Sequence, residues 1–82
     1  MTIKQKFGYE LKKYLNLKKS TEAIGGFAFF YYMKNMPDID DEFRRFLLDM
    51  STMEEGPQFA LPYEMLHQIA DALIAGKDVK FP

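Results

Sequence analysis

The fold of this chain depends on residues 23–33, which read Ala-Ile-Gly-Gly-Phe-Ala-Phe-Phe-Tyr-Tyr-Met. Ser20, just before them, is a good helix N-cap, and Pro37, just after them, is a helix stop. The aromatic content also suits a β-strand, and two glycines cost a helix about 2 kcal/mol unless another backbone approaches them closely. We favour a helix over a strand, and because this helix is apolar all round it should lie at the centre of the fold.

As a helix, this segment divides its large side chains between two sides, since successive residues are separated by about 100°. One side carries Ile24, Phe27, Ala28 and Tyr31, and the other carries Phe29, Phe30, Met33 and Met36. A chain of 82 residues has few other elements with which to cover both sides. The segment is therefore expected to form core on one side and to leave aromatic surface on the other.

Three more helices are predicted from apolar residues that recur every three or four positions, over about residues 3–16, 40–54 and 62–75. The fold class is therefore mostly α, a small bundle of about four short helices. The tail 77–82 alternates weakly between polar and apolar residues, so it can pair with 58–61 as a minor two-stranded element near the C-terminus. The expected core consists of Phe7, Leu11, Ile24, Phe27, Phe43, Phe46, Leu47, Met50, Leu66, Ile69 and Leu73.

Length and composition predict one helical domain over residues 1–82. There is no Cys, which excludes disulfides and thiolate metal sites. The N-terminal residues lack the ~7–15 apolar residues of a signal peptide, and no apolar run reaches the ~20 residues of a membrane helix. We expect a cytoplasmic protein without a membrane span.

The polar residues do not form a pattern typical of catalysis or metal binding. His67 is the only histidine, and it shares a predicted helix face with Glu64 and Asp71. A di-iron bundle site needs a second Glu-x-x-His pair, so these three residues are interpreted as a solvated polar face. The acids at 38–42 lack the spacing of a calcium loop, and no serine has a second histidine to activate it. We expect no enzymatic activity, no cofactor and no metal site.

Charge is unevenly distributed, with six Lys and one Glu in residues 1–19 and an acidic remainder. The candidate basic surface is Lys4, Lys12, Lys13, Lys18 and Lys19. The candidate acidic surface is Asp38, Asp40, Asp41, Glu42, Glu54 and Glu55. The lysines suggest a nucleic-acid-associated regulator as the alternative function, although residues 1–19 contain no Arg and the net charge is −1. The acidic residues suit a protein that covers a basic active site.

The leading hypothesis is a protein-binding module, of the adaptor, inhibitor or immunity type, that docks on another protein or on itself as a homodimer. Leu48 lies opposite the apolar stripe of its helix and beside Arg44, so it should be exposed. Together with the aromatic segment it has the composition of a binding hot spot. The predicted partner-binding residues are Phe29, Phe30, Tyr32, Arg44 and Leu48. A ligand-binding or enzymatic bundle is the third hypothesis.

Overall fold

The computed structural model describes all 82 residues and contains four α-helices and no strand. The helices are α1 (Ile3–Asn16), α2 (Thr21–Asn35), α3 (Asp41–Ser51) and α4 (Tyr63–Ile74). Short 3₁₀ turns occupy Met36–Asp38, Thr52–Glu55 and Pro57–Phe59. The predicted mostly helical bundle is confirmed, and residues 23–33 are helix. No helix combines the length and the apolar character that crossing a membrane requires.

The first three helices begin where the sequence provides a capping side chain. The Thr2 hydroxyl accepts a hydrogen bond from the Gln5 N–H, and the Gln5 side chain accepts one from the Thr2 N–H. Ser20 accepts from the Ala23 N–H, and Asp40 accepts from the Phe43 N–H. These oxygens satisfy backbone donors that have no partner inside the helix, which is why the helices begin at these positions.

Two helix pairs form the bundle: α1 packs on α4, and α2 packs on α3 and on the turn after it. A glycine lies at the crossing point of each pair. A Cβ added to Gly8 would lie 2.9 Å from Leu73 Cβ, and one added to Gly25 would lie 2.5 Å from the Glu54 backbone N. The helices therefore approach as closely as they do because these two positions lack a side chain.

The core is apolar throughout, with no buried polar or charged residue. Phe7 lies at its centre; its ring stacks on Phe27 at 5.1 Å between centroids and meets the edges of Phe43 and Phe46 at 5.8 and 6.4 Å. Every predicted core residue is buried except Phe27, which is half-buried. Phe27 also stacks on Tyr14, at 4.5 Å, so it lies at the edge of the core between α1 and α2.

The predicted two-stranded element is wrong. In residues 57–60 the Phe59 N–H donates to the Gly56 carbonyl and the Ala60 N–H donates to the Pro57 carbonyl. These donors are used inside a 3₁₀ turn, and Pro57 has no N–H, so the segment cannot form a ladder with the tail. The tail packs through a side chain instead, since the ring of Phe81 lies 6.3 Å from that of Phe46.

Candidate functional site

Helix α2 is apolar on both sides, and it buries one side and exposes the other. Its fully buried positions are Ile24, Gly25 and Ala28, which we call the inner face of α2. Its opposite side exposes four large apolar side chains, Phe29 (45% exposed), Phe30 (63%), Met33 (57%) and Met36 (39%). We call these four residues the outer face of α2. Scattered exposed apolar side chains are ordinary, but four on one helix face form a contiguous apolar surface.

A groove of about 520 Å³ runs between α1 and α2 and continues the outer face of α2 on the α1 side. Five aromatic side chains line it: Tyr9, Tyr14, Phe27, Phe30 and Tyr31. Met1, Lys6, Glu10 and Lys34 complete the lining. Phe30 belongs to both features, so the groove and the outer face form one continuous apolar surface.

The outer face of α2 has charges of opposite sign at its two ends. Glu22 lies exposed in the first turn of α2, and the Glu54 carboxylate lies beside Gly26, 3.6 Å from where a Cβ would be. Lys34 lies exposed in the last turn, where Lys6 of α1 lines the same groove. Helix α2 itself therefore carries an exposed acidic side chain in its first turn and an exposed basic one in its last turn.

The predicted partner-binding residues are distributed over α2 and α3. Phe30 lies on the α1 side of α2, in the groove, whereas Phe29 pairs with Tyr32, their ring centroids 6.2 Å apart. Leu48 on α3 is 39% exposed, as predicted for this position, and Arg44 forms a salt bridge with Asp41 of its own helix. Phe29 and Phe30 thus join the exposed face of α2.

Two of the five lysines of the candidate basic surface are paired with carboxylates. The Lys12 ammonium lies 2.8 Å from Asp71 of α4. The Lys4 ammonium lies 3.0 Å from Asp78 and 3.5 Å from Asp40. The hydrogen bond to Asp78 and the charge of Asp40 raise the pKa of Lys4 above its ordinary value. The remaining three, Lys13, Lys18 and Lys19, are exposed.

The residues of the candidate acidic surface are all exposed, and some have structural contacts. Asp40 caps α3, and the hydrogen bond from the Phe43 N–H, with the nearby Lys4, lowers the pKa of its carboxyl. Asp41 pairs with Arg44. Asp38, Asp40 and Asp78 line a second groove of about 510 Å³, and the Lys4 ammonium lies between the last two and pairs with both. The salt bridges of Lys4 with Asp40 and Asp78, which we call the polar tie, connect α1, the start of α3 and the tail. They account for the charged residues of this second groove.

The two other polar residues of interest, Tyr31 and His67, lie half-buried. Burial, with the charge of Glu10, raises the pKa of Tyr31, whose hydroxyl donates to the Ile3 carbonyl. His67 is half-buried rather than fully solvated, and Asp71 on its helix face is bound to Lys12. No group of three or more His, Asp or Glu side chains is placed to hold a metal ion.

Sequence reasoning missed the contribution of α1 to this site. Tyr9, exposed at 50%, and Lys6 line the groove, yet neither was among the predicted partner-binding residues. A signal was available, because Lys6, Tyr9 and Lys13 fall on the side of α1 away from its apolar stripe. What the pattern could not supply is that α2 lies next to this side.

No protein-family model, curated protein or solved structure matches this chain.

Proposed function

We propose that this chain is a protein-binding module, of the adaptor or inhibitor kind, that acts by docking and not by catalysis. The docking site is the outer face of α2 together with the adjoining groove. The observation that carries the proposal is the outer face of α2, where four large apolar side chains lie in water on one side of a helix whose other side is buried. Phe27, Tyr31 and Tyr32 pack against the core, whereas the side chains of the outer face contribute little to the fold of this chain.

The size of the exposed surface supports this assignment. An aromatic side chain offers roughly 150–250 Å², so Phe30, at 63% exposure, leaves on the order of 100 Å² of apolar area in water. With Phe29, Met33 and Met36 the face falls within the range of about 300–600 Å² that the largest patches of monomeric proteins reach, and such patches are often functional. Phenylalanine and methionine are also enriched at protein interfaces.

The alternative, a nucleic-acid-associated regulator, has less support. Phosphate binding needs several unpaired cations on one surface. Here Lys4 and Lys12 already bind carboxylates, and Glu10 lines the groove beside Lys6. The aromatic side chains of the groove could stack on bases, but the charge around them is mixed. An apolar protein surface fits the groove better than a phosphate backbone does.

Site-specific photocrosslinking tests the proposal. A photoreactive amino acid replaces Met33 on the outer face, and in a control it replaces Gln68, which is also solvent-exposed but lies on α4. Cells of the source organism that express each variant are irradiated, and adducts are identified by mass. We expect a discrete protein adduct from position 33 that is absent from position 68. The same adduct should disappear when Phe30→Asp is added to the position-33 probe, because a charge at the centre of the face opposes docking.

Three results would contradict the proposal: no discrete adduct from position 33, the same adducts from both positions, or adducts that consist of nucleic acid. The last of these would favour the alternative function. Each variant must show the helical circular dichroism of the wild type, which separates loss of docking from loss of fold.

A further inference from the structure

We propose that the outer face of α2 binds the same face of a second copy of this chain, with the two α2 helices antiparallel. This inference rests on the proposed function and names the partner of that same site. Most oligomers of a single chain are two-fold symmetric, and a two-fold interface requires a surface that is complementary to itself. The exposed side of α2 meets this requirement in both charge and size.

The charge complementarity follows from the two ends of the helix. Glu22 lies six residues before Ala28 and Lys34 lies six residues after it, and both are exposed. A two-fold axis at the level of Ala28 brings Glu22 of one copy opposite Lys34 of the other, twice. The Lys6 ammonium lines the groove together with Lys34, and the Glu54 carboxylate beside Gly26 lies nearer the axis. An antiparallel pair is thus attractive at both ends, whereas a parallel pair sets like charges together.

The size complementarity follows from the residues between those ends. About the same axis, Ala23 faces Met33 of the other copy, and Gly26 faces Phe30, each pair being equally far from Ala28. The half of α2 with small residues therefore meets the half with large ones. A Cβ added to Gly26 would be in ordinary van der Waals contact with the Glu54 side chain alone, at 3.6 Å, so only a flexible side chain lies over this half-buried position. The Phe30 ring of a second copy is the group that fits over it.

The expected dimer is weak. One helix face buries less than the ~800 Å² per partner of a standard stable interface. We therefore expect a dissociation constant that is roughly micromolar or weaker. The ends of the interface are exposed ion pairs, which contribute little individually and weaken with salt. Self-association should therefore be concentration-dependent and partly salt-sensitive.

Charge exchange at the two ends tests both the dimer and its orientation. The single variants Glu22→Lys and Lys34→Glu each convert two attractive pairs into repulsive ones, and each should weaken the dimer about tenfold at low salt. The double variant, Glu22→Lys with Lys34→Glu, reverses both ends and should restore the wild-type dissociation constant. It places charges of the wrong sign at both ends of α2, so its monomer is not stabilised and restoration must come from the pairing. Sedimentation velocity of the purified chain measures each dissociation constant.

Gly26→Leu gives an independent test that involves no charge. The added side chain occupies the space left for Phe30 of the second copy, and it should weaken the dimer at least tenfold while the monomer stays helical. The matched control is Gln68→Leu on α4, which adds a similar exposed side chain away from the interface and should leave the dissociation constant unchanged. Thermal melting of each variant at low concentration verifies the fold.

The outcomes separate this inference from the proposed function. Wild-type chain that stays monomeric up to about 1 mM, the limit of specific weak binding, overturns the dimer. If the position-33 probe then captures a different protein, only the identity of the partner is wrong; if it captures nothing, the proposed function fails as well. A dimer that is unaffected by the single charge variants and by Gly26→Leu uses another surface and also overturns the inference.

Discussion

The inner and outer faces of α2 lie on one helix and differ in burial although both are apolar. The inner face is Ile24, Gly25 and Ala28, all buried, while the outer face presents Phe29, Phe30, Met33 and Met36 to water. In an ordinary surface helix the apolar stripe faces the core and the polar residues face out. Here both sides are apolar, so polarity does not decide which one is buried.

The close approach of the backbone of residues 51–54 to α2 decides which side is buried. Gly25 meets the backbone of residues 51–54 so closely that a Cβ would lie 3.1 Å from the Ser51 carbonyl oxygen and 2.5 Å from the Glu54 N. Only the side of α2 with glycine and alanine fits into this space, which leaves the aromatic side exposed. All-round apolarity of a helix in a small bundle is thus compatible with one buried side and one exposed side, and the proposed docking site is the exposed one.

The largest expected effect on stability distinguishes the two faces directly. Ile24→Ala removes a fully buried side chain and should lower the free energy of unfolding by about 2–5 kcal/mol. Met33→Ala on the outer face, 57% exposed, should lower it by less than about 1 kcal/mol. Urea denaturation of both variants, below the concentration at which the chain self-associates, measures the difference. Equal losses would show that the two faces are not distinct.

Replacing each of the adjacent glycines, Gly25 and Gly26, by alanine compares the two faces by the addition of a single methyl group. Gly25→Ala forces the backbone of the turn after α3 to move and should destabilise the fold by about 1–3 kcal/mol. Gly26→Ala meets only a flexible side chain, so it should stabilise the monomer by up to about 1 kcal/mol through helix propensity. Thermal melts at low concentration should therefore move in opposite directions. Shifts of the same sign would contradict the assignment of the inner and outer faces.

Local patterns in the sequence were sufficient to predict the helices, because the information is local. Ser20 caps α2 as predicted, and Pro37 lies just beyond the end of that helix. The close approach at Gly25 was also one of the two explanations open for the paired glycines. These features depend on residues within a few positions of one another, and the physical rules that govern them act over that range.

Contacts between distant residues could not be predicted in this way. Lys4 pairs with Asp78 and Lys12 with Asp71, so residues that looked like an open basic surface are partly neutralised across the bundle. The two-stranded element was predicted from apolar alternation alone, and the 3₁₀ turn after Gly56 uses the N–H groups of Phe59 and Ala60. The groove beside Phe30 likewise depends on which helix lies next to α2, and periodicity does not specify this.

The smallest expected effect concerns the polar tie on the α1–α3 side, well away from the apolar outer face. Asp40→Ala removes the cap of α3 and one partner of Lys4, and it should cost about 1 kcal/mol at neutral pH. The pKa of Asp40 is lowered in the folded chain, first by the Phe43 N–H and then by Lys4. Its stabilisation is therefore present above the unfolded pKa of about 3.9 and is lost as the pH falls through the lower folded value. The difference between wild type and variant should then be constant near pH 5–8 and shrink below about pH 4.

At high pH the stabilisation by this tie depends on Lys4, because the pKa of Lys4 is raised in the folded chain. Its contribution is complete below the unfolded pKa of about 10.4 and is lost as the pH rises through the folded value, in the wild type and, through Asp78, in the Asp40→Ala variant as well. Asp38→Ala is the matched control, since Asp38 is exposed and makes neither a salt bridge nor a side-chain hydrogen bond. Its effect on stability should be within about 0.5 kcal/mol at every pH. Urea denaturation at pH 3, 5 and 7 measures the three proteins, and an Asp40→Ala loss of equal size at pH 3 and pH 7 would mean that its carboxylate charge has no part in the tie.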